Sequence, residues 1–292
     1  MASFTEEEFQ IELKTILNFY ISRYETQEKP KAFLLGGQPG AGKSKLEYLI
    51  NTQEKCAFVS GDDFRKYHPR FEELNNIYGQ ESSKHTQEWA GKMVENIVQK
   101  LRKKKINLIL EGTLRTSEIP LKEAKALKEA GYYVELNVVA VKPEISYLGT
   151  LQRYEKMIQK GDIPRMTPKE HHDNVVANIG KNLDDIYKAN VFSEIKIFDR
   201  ENNYKLLYSK NKTSEISPKV ILDKEFNREW REKEVKAYSN DFKDLIKQMQ
   251  NRKADEEQVN NIKKIRNEIE KNINRNKSKN IYKLADTCYN KY

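Results

Sequence analysis

The sequence predicts an α/β fold: a mostly parallel sheet with helices on both faces, followed by a helical C-terminal extension. Three observations predict it. Short apolar runs alternate with stretches of helical periodicity from about residue 32 to residue 198, the pattern of consecutive βαβ units. A glycine-rich segment, Gly36 to Ser44, stands at the junction of a strand and a helix. From Ser217 onward there is no glycine, and strand patterns cease.

The elements follow in order. Thr5 and Glu8 have the spacing of a capping box, and Phe9, Leu13, Ile16, Leu17 and Tyr20 form the apolar stripe of the helix it opens. Glu28-Lys29-Pro30 ends that region. A strand over Ala32–Leu35 runs into the glycine-rich loop, and a helix continues to about Asn51. The next strand, Cys56–Ser60, ends at Gly61-Asp62-Asp63. A long helical region, about Ser83–Lys104, leads to a strand over Asn107–Leu110, which ends at Glu111-Gly112-Thr113. Pro120 suits a first helical turn, and Gly131 closes its helix. A strand over Tyr132–Val141, a helix from Pro143 to about Met157, a helix from Thr167-Pro168 to Asn190 and a strand over Glu194–Phe198 complete the alternation.

This organisation gives one α/β domain, residues 1–222, and a basic helical extension, residues 223–292. The extension holds 18 Lys and Arg against 13 Asp and Glu, so it carries five of the chain's nine net positive charges. Val259, Ile262, Ile265, Ile269 and Ile273 lie three or four apart, one stripe on a helix. The stripe is expected to dock on the domain's own core, a partner-binding helix being the alternative.

Composition excludes several classes. Charged residues make up 33% of the 292-residue chain, above the ~25% of average domains, but both signs are abundant, so the surface is mixed. No apolar run approaches the ~20 residues of a membrane span. Glu6, Glu7 and Glu8 precede any apolar run, unlike a secretory leader. Two cysteines, Cys56 and Cys288, make no multi-bridge framework. A cytoplasmic protein without a membrane partner is expected. The net charge of +9 permits nucleic-acid contact, yet a solvated basic surface and phosphate-rich small ligands account for it better. His68, His85, His171 and His172 show no ligand spacing with cysteine, and no zinc site is expected.

The chemistry concentrates in Gly37-Gln38-Pro39-Gly40-Ala41-Gly42-Lys43-Ser44, a complete phosphate-binding loop (P-loop) between strand and helix. Glycines let backbone N–H groups wrap phosphate oxygens, Lys43 can reach the β- and γ-phosphates, and the Ser44 hydroxyl is placed to hold Mg²⁺. Ligands in open α/β sheets sit beyond the carboxyl ends of the strands, where Asp62, Asp63, Glu111 and Thr113 lie. A carboxylate there can accept a proton from an acceptor hydroxyl. Neighbouring residues leaving a strand point oppositely, so one of Asp62 and Asp63 is expected to face the acceptor. Arg153 and Arg165 bracket a lid segment and can stabilise charge on a transferring phosphoryl group. The fold expected is therefore P-loop kinase-like. No Walker-B-type aspartate with a water-orienting glutamine stands out, which disfavours a mechanical ATPase or a GTPase switch.

Five segments in register, Phe33–Ser44, Gly61–Pro69, Leu110–Thr116, Ser146–Glu155 and Arg165–Asp173, resemble the zeta toxin family, the kinase half of bacterial toxin–antitoxin modules. The resemblance covers roughly residues 5–230. It implies phosphorylation of the 3′-hydroxyl of the amino sugar of UDP-N-acetylglucosamine with ATP or GTP and Mg²⁺, which blocks peptidoglycan synthesis. It also implies a small helical antitoxin covering the nucleotide site. Carried over, Asp62 becomes the base, Lys43, Arg153 and Arg165 the phosphate clamps, Ser44 the Mg²⁺ ligand, and Glu95, Glu111, Thr113 and Arg115 candidates for holding the UDP-sugar. Two positions depart from the family. Ser60 stands where many relatives have an acid, and Asp63 where Ser or Thr is usual, so the base stays open between the adjacent aspartates. Another nucleotide-sugar or the ribose of NAD as acceptor, or a nucleic-acid-binding role, are the competing readings.

Overall fold

The computed structural model describes residues 4–210 and 215–289. Helix α1 (Glu6–Ile21) opens on the expected capping box: the Glu8 amide donates to Thr5 Oγ1 at 3.1 Å, and the Thr5 amide to Glu8 Oε2 at 2.7 Å. Strand β1 (Lys31–Gly36) leads through the phosphate loop into α2 (Lys43–Glu54). Strand β2 (Ala57–Val59) is followed by three short helices, α3 (Gly61–Phe64), α4 (Phe71–Tyr78) and α5 (Ser82–His85), before α6 (Gln87–Lys103). Then come β3 (Leu108–Glu111), α7 (Glu118–Glu129), β4 (Tyr133–Ala140), α8 (Pro143–Gln159) and α9 (Lys169–Ala189). A hairpin of β5 (Glu194–Asp199) and β6 (Lys205–Ser209) closes the sheet, and α10 (Pro218–Asn227), α11 (Glu232–Asn251) and α12 (Glu256–Tyr289) form the C-terminal part.

The strand order is β2-β3-β1-β4-β5-β6, parallel except for the β5–β6 pair. Central β1 is buried along nearly its whole length, as a parallel strand covered on both faces must be. Alternate side chains divide the core between the faces. Leu34, Leu108 and Leu136 meet Phe9 and Leu13 of α1, Trp89 and Met93 of α6, and Leu183 of α9. Phe33, Leu35, Ile109 and Val139 meet Leu46 of α2, Leu148 of α8 and Phe242 of α11. The stripe on α12 docks on this second core as expected: Val259, Ile262 and Ile273 are buried, and Ile265 and Ile269 pack against it.

Three local expectations are corrected. The second strand stops at Val59, and Gly61-Asp62-Asp63 turns into helix α3. The long helix breaks at Thr86, whose hydroxyl serves Arg65 instead of continuing a helical face. Strand β6 follows β5 in an antiparallel hairpin that the sequence pattern does not announce, since its residues show no alternating burial. Among the described residues, no helix is long and apolar enough to cross a membrane.

Candidate active site

Where β1 ends, the chain needs left-handed backbone to wrap a loop and start α2 within six residues. Gly40 and Gly42 supply it at φ 74° and 94°. Gly40 also lies flat against α8, where a Cβ would come 2.0 Å from the Ser146 carbonyl oxygen, so only glycine fits. Side chains from distant elements hold the loop. Fully buried Gln38 donates to the Val141 carbonyl at 2.9 Å and to Ser146 Oγ at 3.2 Å. Arg200 Nη1 donates to the Gly40 carbonyl at 2.9 Å, and the Tyr204 hydroxyl to the Gly42 carbonyl at 2.6 Å. Ser146 Oγ in turn lies 2.8 Å from His172 Nε2, whose Nδ1 is 3.0 Å from Asp173. The N-terminus of α2 adds its unpaired amides and the positive end of its dipole.

Lys43 begins α2, and its ammonium donates to the Gly37 carbonyl at 2.9 Å and the Gln38 carbonyl at 3.4 Å. Its nearest counter-charge is Glu111 at 3.9 Å. Burial holds its pKa below the ordinary lysine range against the pull of Glu111, and the Arg153 charge acts in the same direction as burial. A buried cation so weakly paired is stabilised by an incoming anion. Ser44, one residue on, presents an exposed hydroxyl at the same mouth.

Across from the loop, helix α3 carries both aspartates. The expectation that neighbouring aspartates point oppositely does not apply on a helical turn, where successive side chains differ by about 100°. Their charge environments separate them instead. Asp62 Oδ1 accepts from Arg65 Nε at 3.0 Å and pairs with Arg165 Nη1 at 3.2 Å. Burial opposes charge on Asp62, yet Arg165 and Arg65, with Arg153 behind them, outweigh it and hold the carboxyl below the usual range. Asp63 shifts the other way: burial and the nearby charge of Glu111 push it up. The structure therefore singles out Asp62 as the carboxylate that stays ionised among arginines.

The remaining expected residues take distinct places. Glu111 ends β3 and accepts from Ser60 Oγ at 2.9 Å, which links the position that departs from the family to the same cluster. Thr113 and Arg115 flank Leu114, whose φ of 54° strains a non-glycine residue. Asn182 of α9 fixes that turn by donating to the Leu114 and Arg115 carbonyls at 2.9 and 2.8 Å. Arg153, exposed on α8, donates to Thr167 Oγ1 at 3.2 Å, and Arg165 donates to the Asp62 carbonyl at 3.2 Å, so the segment between the two arginines is tied at both ends. Glu95 lies exposed on α6, next to Val94, which packs under Gly61. Lys43, Asp62, Glu111, Arg153 and Arg165 thus form one electrostatic cluster, with the Thr113–Arg115 turn following Glu111, whereas the charge of Glu95 acts on Glu123 of α7 and on none of these five.

Sequence reasoning missed Arg65, Arg200 and Tyr204. Arg65 was readable from its spacing, three residues after Asp62 on what proves to be a helical turn. Arg200 and Tyr204 carry no local signal, because their role depends on the β5–β6 hairpin folding back onto a loop more than 150 residues earlier. Among the described residues, no group of three or more His, Cys, Asp or Glu side chains is arranged to hold a metal alone. A cation here would need the Ser44 hydroxyl together with ligand phosphates.

Comparison with known proteins identifies the chain's relatives. The family model described as zeta toxin matches residues 18–213. The chain is 39% identical over 238 residues to "Toxin zeta" of Streptococcus pyogenes, covering 80% of this chain and 82% of that protein. It is 40% identical over 214 residues to "Toxin PezT" of Streptococcus pneumoniae, covering 72% and 85%. A solved chain from the PezAT chromosomal toxin–antitoxin system of the same organism superposes with TM-score 0.75 at 35% identity, covering 84% of this chain and 98% of that one.

Proposed function

Because the chain belongs to the zeta toxin family, we propose that it is a kinase that transfers the γ-phosphoryl group of ATP or GTP to the 3′-hydroxyl of the amino sugar of UDP-N-acetylglucosamine. The observation that carries the reading is the paired architecture of one cleft. A phosphate loop with a buried lysine faces a carboxylate kept ionised by arginines. Phosphoryl transfer needs little covalent work from a protein and is served by positioning and charge.

Each residue then has a role. Loop residues Gly37 to Ser44 hold the donor phosphates, and Lys43 meets their β- and γ-oxygens. Ser44 would hold Mg²⁺, which neutralises phosphate charge when bound. Asp62 orients the sugar hydroxyl and takes its proton as the oxygen attacks phosphorus. Arg153 and Arg165 close over the transferring group, Arg165 leaving its pairing with Asp62 for the phosphoryl oxygens. Glu95, Glu111, Thr113 and Arg115 receive the UDP-sugar. Residues 1–222 would hold all of this chemistry, with residues 223–292 as an extension that buries Tyr238, Phe242 and Leu245 on the side of α8. The relatives' naming as toxins, and the PezAT system among the solved structures, support a role as toxin of a toxin–antitoxin module. A small helical antitoxin would silence it by covering the nucleotide site.

The test is incubation with Mg-ATP or Mg-GTP and a panel of nucleotide-sugars and NAD, read by mass spectrometry and by ³¹P NMR of the product. One added phosphate, esterified to the 3′-oxygen of the amino sugar of UDP-N-acetylglucosamine, is expected. Phosphate on NAD or on another nucleotide-sugar alone would replace the assigned acceptor.

A further inference from the structure

Between α2 and the β4–β6 half of the sheet lies a cavity of about 650 Å³. Phe33, Leu46, Ile50 and Phe198 form apolar walls, and Glu135, Asn137 and Lys196 lie in a row along its floor. Lys43, Asp62, Glu111, Arg153 and Arg165 do not line it, so it is separate from the site described above. The size falls within the ~300–1,000 Å³ of small-molecule sites, which are likewise mostly apolar with a few polar groups.

Asn137 is the feature that the fold does not explain. It sits mid-strand on β4, in register with Leu35 of β1 and Lys196 of β5, and is 1% exposed. Both Oδ1 and Nδ2 are buried without a hydrogen-bond partner. A buried amide unpaired at both atoms is costly and uncommon. Its neighbours are already committed: Lys196 pairs with Glu135 at 2.8 Å and Glu194 at 3.4 Å, Lys31 with Glu54 at 2.6 Å, and the Tyr133 hydroxyl donates to Glu194 at 3.0 Å. Among the lining residues described, Asn137 is the one whose acceptor and donor are both buried and unpaired.

We propose that this cavity is a second ligand site, in which Asn137 reads the edge of a neutral planar heterocycle, the base of a nucleoside. An asparagine amide matches an edge where an acceptor adjoins a donor, as N7 and the exocyclic amine of adenine do. Aromatic and aliphatic walls suit the faces of such a ring. The two lysines and three glutamates lining the cavity leave it one negative charge in excess, which rejects phosphate and distinguishes this ligand from the phosphate donor. The site also touches the phosphate loop: Leu46 and Ile50 belong to α2, and Tyr204, another lining residue, donates to the Gly42 carbonyl.

The test uses the full chain and direct binding, so it is independent of kinase activity. Adenosine, guanosine and cytidine are titrated calorimetrically, with and without saturating Mg-ATP. One-to-one binding of at least one nucleoside that persists under Mg-ATP is expected. Asn137→Leu should weaken it at least tenfold without lowering Tm, since the substitution removes two unpaired polar atoms. Ile50→Trp, which fills the cavity from α2, should do the same and serves should Asn137→Leu not fold. Asp62→Asn should bind as wild type. No binding by any nucleoside, complete displacement by Mg-ATP, or undiminished binding in either folded variant would overturn the proposal.

Discussion

Burial opposes charge on both aspartates; at Asp62 the cations Arg165 and Arg65 outweigh it, whereas at Asp63, one residue on, Glu111 adds to burial and Lys66 and Arg165 do not overcome them. If Asp62 is the proton acceptor, Asp62→Asn should lose ~10²–10⁴-fold in turnover, the scale of general-base catalysis, and Asp63→Asn much less. Steady-state rates at saturating substrates compare them directly. The pH dependence follows from the same charges. A depressed carboxyl pKa keeps the base ionised through the neutral range and down through the ordinary carboxylate range, so the acid limb of kcat/KM should begin below it. Arg65→Leu removes a stabilising cation, raises that pKa, and should move the acid limb to higher pH; an unmoved limb would show that Asp62 does not set it. The residues of the loop, both aspartates, Arg153 and Arg165 were legible in the sequence because each stands in a local motif. What separates the aspartates was not, because it resides in Arg165 and Glu111, brought from about 100 and 50 residues away.

Among elements, the loop and α8 depend on each other most closely. Gly40→Ala would place a methyl against the Ser146 carbonyl in a left-handed conformation. Backbone strain of this kind costs ~1–3 kcal/mol, and relief by moving the loop should also weaken nucleotide binding, measurable as a rise in Kd beside a fall in Tm. Helix α8 is clamped from its far side as well. Arg252 donates to both oxygens of buried Glu155 at 2.7 Å, two residues beyond Arg153. Arg252→Ala strands a buried carboxylate and should cost about 3 kcal/mol, the lower end of the range for breaking a buried pair, read as a lower denaturant midpoint. The strands and long helices were legible because their periodicity is strong. Strand β6 was not, because only pairing with β5 defines it, and α3 was hidden by its length of four residues.

For the whole molecule, every residue given a chemical role precedes 223, yet α11 and α12 bury Tyr238, Phe242, Val259 and Ile262 in the same cluster as Leu46 and Val139. A chain ending at Asn227 would expose the apolar face of α8, so it should show a lower Tm and aggregate, even though every group proposed to act in catalysis is retained; unchanged stability would mean that α11 and α12 contribute little. The stripe on α12 was visible in the sequence, but its burial partner was not, since helical periodicity specifies an apolar face without naming what covers it. The central claim is that one cleft transfers phosphate to an amino sugar with Asp62 as base. Single-turnover transfer from γ-labelled ATP to UDP-N-acetylglucosamine, followed side by side in wild type and Asp62→Asn at equal nucleotide occupancy, tests it most directly. Rapid labelling of the sugar by wild type, slowed at least a hundredfold in the variant with nucleotide binding retained, is the result the account predicts. Equal rates in the two proteins, or ATP consumed with no label reaching the sugar, would contradict it.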